Sequence, residues 1–193
     1  MNQILQQLTG GDLRSDGLAS EVAGVVRDHP ELVDDLLEGL DASDDVVRAR
    51  TADALEKLTR DKPEYLLTEI SHLIQLAQRD RIPMVRWHAA MSLTNLLALN
   101  QQVNQIATTL LGLLQDKSPF VKSWAIAGLC VLGRRYPRKQ KRILERLAHL
   151  QQDPSIAIRH RTATAIRLLI NPQLPWPAGW LKSRRNISPR RVR

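Results

Sequence analysis

The residue types that do most protein chemistry are sparse in this chain and poorly grouped. The five histidines, His29, His72, His88, His149 and His160, include no pair four apart and no His-Glu-x-x-His run, so their spacing builds no zinc site. The single cysteine, Cys130, excludes disulfides and a cysteine-based metal site; beside Leu129 and Leu132 it reads as a small buried hydrophobe rather than a nucleophile. Gly10-Gly11 is an isolated turn, and no Gly-rich loop ends in Gly-Lys-Ser/Thr, so phosphoryl transfer has no support. What does recur is a mixture of cations and flat rings, namely Arg50, Trp87, His88, Trp124, His160 and Arg161, each one or two places after a regularly spaced cation. Cations beside stacking rings suit an acidic peptide or a nucleic acid.

The elements that position these residues follow from an internal period. The stretch Val46-Val47-Arg48-Ala49-Arg50-Thr51-Ala52-Asp53-Ala54-Leu55 returns from Met84, from Phe120 and from Ala157, with its cation at Arg48, Arg86, Lys122 and Arg159. Pro30, Pro63 and Pro137 each precede an apolar-periodic segment, as in Leu66, Ile70, Leu73, Ile74 and Ala77. Each unit therefore reads as two helices, over about 30 to 60, 63 to 99, 101 to 134 and 137 to 170, with residues 18 to 27 as the second helix of a degenerate leading unit. Ala52, Ala90, Ile126 and Ala163 let neighbouring second helices approach. Asp41 or Asp44, Asp80, Asp116 and Asp153 stand between the helices as N-caps or as partners of the anchor cations. The anchors read as structural. Trp87 and Trp124 either fill space between repeats or line a groove; the polar residues at the position equivalent to Trp124 favour the groove there.

The period near 37 and the order Asp, Pro or Val, Val-Arg, Ala-Ala-x-x-Leu resemble HEAT repeats over roughly residues 12 to 170. Lys122 departs from the usual arginine, and the first and last units lack proline at the head of the second helix. The resemblance implies an all-α, right-handed α-solenoid of about four to five helix pairs, with the second helices lining a concave groove. It implies no single activity, because HEAT-type proteins include scaffolds, transport adaptors, chromatin components, bilin lyases and, in a related repeat, DNA glycosylases.

With 43% hydrophobic and 25% charged residues the chain is of globular rather than disordered type. Its longest apolar runs, such as Leu96 to Leu99, fall far short of the roughly 20 residues of a membrane span, and a signal peptide is not evident, so a cytoplasmic location is expected. The net charge of +8 is unevenly spread: residues 1–60 carry 6 Lys and Arg against 13 Asp and Glu, whereas residues 134–193 carry 16 against 2. The domain reading is a capping or degenerate repeat over 1–28, the solenoid over 29–171, and a Pro/Trp/Arg-rich cap with a basic tail over 172–193. Leu174, Trp176, Trp180 and Leu181 are expected to cover the last repeat, as solenoid ends require. Arg134, Arg135, Arg138, Lys139, Lys141, Arg142, Arg146, Lys182, Arg184, Arg185, Arg190, Arg191 and Arg193 form a cationic end suited to a polyanion.

These features point to a non-catalytic scaffold or adaptor with a protein partner, without cofactor or metal. The groove candidates are Arg50, Trp87, His88, Trp124, His160 and Arg161. The alternative is a nucleic-acid-binding protein, in its enzymatic form a DNA glycosylase with Asp53 as the nearest groove carboxylate; pigment handling is a third reading. Opposite charges at the two ends also predict weak head-to-tail self-association.

Overall fold

The computed structural model describes residues 1–186, and among these all regular structure is helical. The short α1 (Gln3–Gln6) and α2 (Ala19–Asp28) precede four helix pairs: α3 (Val33–Leu37) with α4 (Asp45–Thr59), α5 (Ile70–Arg79) with α6 (Pro83–Leu96), α7 (Val103–Leu113) with α8 (Pro119–Arg135), and α9 (Gln140–Ala148) with α10 (Ile156–Ile170). The second helices stack in the order α2, α4, α6, α8, α10 more closely than the first helices do, which puts them on the inside of the curve. The α-solenoid expected from the period is thus the observed architecture.

Local sequence accounts for where the helices begin. Pro30, Pro63 and Pro137 each open a 3₁₀ turn ahead of a first helix, and Pro83 and Pro119 occupy the first turn of α6 and α8, where a missing N–H costs nothing. Without such a proline, α4 is capped by Asp44, which accepts from the Val46 and Val47 amides, and α10 by Ser155, which accepts from the Ile158 amide.

The aspartates between the helices serve two roles at once. Asp80 Oδ1 accepts from the Ile82 amide at 2.7 Å, Asp116 Oδ1 from Ser118 at 2.7 Å and Asp153 Oδ1 from Ser155 at 2.9 Å. Their other oxygens accept from the anchor of the preceding pair: Arg48 Nε to Asp80 at 2.7 Å, Arg86 Nε to Asp116 at 2.7 Å and Lys122 Nζ to Asp153 at 2.6 Å. Each arginine anchor also clamps its own turn through Nη1, Arg48 to Ala42 O and Arg86 to Asp80 O. Burial pushes the Asp153 carboxyl up, but Lys122 and the Ser155 amide outweigh it and hold Asp153 below its ordinary range.

Between the rungs the second helices meet through buried side chains, an alanine on α4 and on α6 and an isoleucine on α8. Ala52, Ala90 and Ile126 are buried, and a Cβ at Gly128 would overlap Thr94 Oγ1, so α6 and α8 can approach only because Gly128 has none. Asp116→Ala should leave the half-buried Arg86 guanidinium short of its carboxylate and the turn short of its cap, costing about 1–3 kcal/mol. For a chain of this size the melting temperature should fall by roughly 3–10 °C; calorimetry checks this, and an unchanged melt would mean the ladder carries no stability.

Candidate functional site

The six groove candidates share a register, but the structure treats them differently. Arg50 is buried beneath the N-terminal loop, where Nη1 donates to Leu8 O, Thr9 O and Gly10 O, Nε to Ser15 O and Nη2 to Asp12 O. The expectation that polar residues at this register must face open space fails here, because five backbone carbonyls of residues 8–15 replace water around the guanidinium. Arg50 therefore fixes the loop over α4 and presents no free donor to a groove.

His88 is also buried. Its Nε2 lies 3.4 Å from Asp53 Oδ1, its Nδ1 has no partner, and Asp53 is bonded to Lys57 at 2.8 Å. Burial is the largest influence on the ring and lowers its pKa to about 4; Asp53 opposes the shift, while Lys57 and Arg60 reinforce it. Asp53 is thus enclosed by cations and a neutral imidazole. The Trp87 ring meets His88 edge-on at 5.5 Å. Trp87 also meets the exposed Phe120 at 5.3 Å on the rim of the face. His160 is exposed on α10.

Trp124 and Arg161 line the inner face together. The Arg161 guanidinium stands 5.2 Å from the Trp124 ring and 4.3 Å from Trp180, and its Nε donates to Ser123 O at 2.7 Å. The C-terminal segment completes this site in a way the sequence reading missed. Residues 172–178 anchor at the end of α8, where Arg134 lies 4.4 Å over Trp176 and donates to Leu174 O. The chain does not stop at the last repeat; it runs across the second helices toward the first pairs. Lys182 Nζ lies 5.2 Å from the Trp124 ring, Ser183 Oγ donates to Arg60 O at 2.6 Å, Arg185 pairs with Glu64 at 2.8 Å and Asn186 Nδ2 donates to Thr94 O at 2.9 Å. Lys182 and Arg185, expected in a free basic tail, are held on the face. The only foreshadowing was spacing: Trp180, Ser183 and Asn186 are three apart, and these three are buried.

Under the segment lies a polar floor. Glu56 is fully buried and bonded to Arg60 and Asn95, and Asn95 also donates to Thr59 Oγ1 at 3.0 Å. A gap of about 10 Å³ remains beneath Trp180 and Lys182, bounded by Met91, Asn95, Trp124 and Gly128.

At the basic end the cations fall into two groups. Arg134 and Arg135 are engaged by backbone carbonyls of Leu168 and Ala98, and Lys139 by Asn104. Arg138, Lys141, Arg142, Arg146 and Arg184 are exposed and form no ion pair among the described residues. Arg190, Arg191 and Arg193 lie outside the described residues. Cys130 is buried, its thiol pushed up to about 12 by desolvation, with Sγ 3.6 Å from Ala165 O. Among the described residues no group of three or more His, Cys, Asp and Glu is placed to hold a metal, and no helix is long and apolar enough to cross a membrane.

No family model matches the chain, and no curated protein matches it. Solved structures do. The complex of CpcE and CpcF of phycocyanin lyase from Nostoc sp. PCC7120 is 23% identical, with a TM-score of 0.66 over 84% of this chain and 95% of that one. An engineered protein is 19% identical, with a TM-score of 0.63 over 86% and 78% of the two chains. The chain has a HEAT/armadillo-like repeat fold. At these identities the likeness of the HEAT-like chain to its neighbours is one of fold.

The buried His88 gives a pH test. Its folded pKa lies below the ordinary 6.5, so the unfolded chain binds the proton first, and stability should fall as pH drops from about 6.5 toward 4. An NMR titration of the ring should stay neutral down to pH 5 with a midpoint near 4; a midpoint above 6 would place the imidazole in water.

Proposed function

We propose that the protein is a non-catalytic repeat scaffold whose inner face holds an extended segment of a polypeptide partner. One observation carries the reading: residues 180–186 of the chain itself lie on that face, seated by an indole, a hydroxyl, a cation and a carboxamide. A surface that seats Trp180 against Trp124 and Arg161 has the aromatic and arginine anchors on which polypeptide interfaces depend. The anchors of the repeat support the same reading, because Arg48, Arg86 and Lys122 are paired with aspartates rather than offered to phosphate.

The nucleic-acid reading is supported by a different surface, α9 and the turn before it, where Arg138, Lys141, Arg142 and Arg146 are exposed and form no ion pair among the described residues. Pigment handling, suggested by the name of one structural neighbour, has no residue of this chain in its favour beyond the shared fold.

The segment's seat can be tested in trans. In the full chain carrying Trp180→Ala, a labelled peptide with the sequence of residues 176–186 should bind at least about tenfold more tightly than to the native chain, whose own segment competes at an effective concentration near millimolar. Adding Trp124→Ala should abolish that gain. Equal binding to all three chains would remove the groove reading. A DNA or RNA probe bound instead, with log affinity falling against log salt by about 0.7–0.9 per contact and lost on reversing Arg138, Lys141 and Arg142, would favour the α9 surface.

A further inference from the structure

The ladder of cations and carboxylates has a direction, and its last rung is unfilled. Arg48, Arg86 and Lys122 each reach forward to the aspartate of the next pair. Arg159 holds the same place on α10 and clamps its own turn through Nη1 to Asp153 O and Pro154 O. Among the described residues it meets no carboxylate.

The apolar register shows the same vacancy. Ala52, Ala90 and Ile126 are buried, whereas Ala163 in the equivalent place is exposed. Thr59, Leu97 and Gly133 are buried, whereas their equivalent Ile170 is 68% exposed. Ile156 is 64% exposed. Ile156, Ala163 and Ile170 are seven apart and share one face of α10, and a cleft of about 390 Å³ on that face is lined by Gln151, Ile156, Arg159, His160 and Ala163. A solenoid that ends ordinarily does so on a polar face. The described residues of the C-terminal segment, 172–186, do not cover this end, because the segment turns at Trp176 onto the inner face.

We propose that the α10 face docks the N-terminal end of a second copy of this chain, so that copies stack head to tail and the solenoid runs on across the junction. The far end has the matching chemistry. There α2 buries Ala19, Val22 and Val26, while Leu18 at its N-cap and Glu21, Val25 and Asp28 along it are exposed at spacings of three, four and three, a single stripe. Leu18 and Val25 meet the isoleucines of α10, and Glu21 and Asp28 meet Arg159 and Arg167. The charge of the two ends agrees with this pairing, since residues 1–60 carry an excess of seven acids and residues 134–193 an excess of fourteen bases. Because the two surfaces differ, the contact is heterologous and need not close, so it builds open chains whose length depends on concentration and salt.

Two exposed substitutions test this with the full-length protein. Ile170→Asp sets an acid against the acidic α2 end, and Val25→Lys sets a base against the basic α10 end; circular dichroism checks that both remain folded. In low salt the native mass from light scattering should rise with concentration and return to the monomer in high salt. Each variant alone should associate at least about tenfold more weakly. An equimolar mixture should recover association to at least the dimer, because one intact α10 face meets one intact α2 end. A native chain that stays monomeric at millimolar concentration in low salt, a variant that polymerises alone, or a mixture that stays monomeric would each overturn the proposal. Neither substitution touches the seat of residues 180–186, so this outcome and that of the peptide experiment are independent.

Discussion

The interaction on which the rest depends is the shared carboxylate between successive helix pairs. A single aspartate caps the turn ahead of its own second helix with one oxygen and receives the previous pair's cation with the other. Because both contacts converge on one rigid group, the turn geometry of one pair and the position of its neighbour cannot vary separately. That coupling holds the second helices in parallel register, and the register is what aligns Trp124 with Arg161 on a common face. A half-buried ion pair adds modest net stability once desolvation is counted. Its larger effect here is to exclude alternative stacking angles that would leave the guanidinium unpaired.

The same ladder shapes the charge that the inner face presents. By engaging three of the four anchor cations it removes the regular row of positive charge that a phosphate backbone needs. What remains on the face is mixed: Glu56 with Arg60, Asp53 with Lys57, and Arg161 between two indoles. Mixed polar groups of both signs suit a ligand that brings both carbonyls and side chains. The C-terminal segment is such a ligand. Beyond the Leu174 to Asn171 bond at the end of α10, its backbone–backbone hydrogen bonds among the described residues, Trp180 to Pro177 and Asn186 to Ser183, are internal, and its other hydrogen bonds to the repeats each have a side chain at one end, so no ladder of main-chain bonds holds it there.

Much of the fold was legible because repetition supplies its own control. Four copies of one pattern reported the pairs, and prolines reported the heads of helices. The inner face was less legible for two physical reasons. First, equivalent positions in a repeat share direction but not cover: Arg50, His88, Trp124 and Arg161 point the same way, yet the N-terminal loop roofs Arg50, and Trp180 roofs Arg161. Second, the partners of the C-terminal segment lie as far as 123 residues away, and no local spacing reports a contact between Ser183 and Arg60. The aspartates were ambiguous for a related reason. Capping acts two residues away and anchor pairing some thirty residues away, and sequence alone does not say that one carboxylate does both.

Direction is the property of this solenoid that composition hides. Every arginine anchor reaches toward its own turn through Nη1, while Arg48 and Arg86 reach toward the next turn through Nε, so the repeat has a donor side and an acceptor side along its whole length. A ladder built in this way must end on a donor without an acceptor, whatever the number of pairs, unless the chain supplies a cap. This chain supplies a C-terminal segment of sufficient length and lays it elsewhere, against Trp124, Arg60 and Glu64. The described C-terminal residues thus serve the inner face and not the end of the stack: there Trp180 shares the Arg161 guanidinium with the Trp124 ring, whereas the end offers Arg159 without an indole beside it.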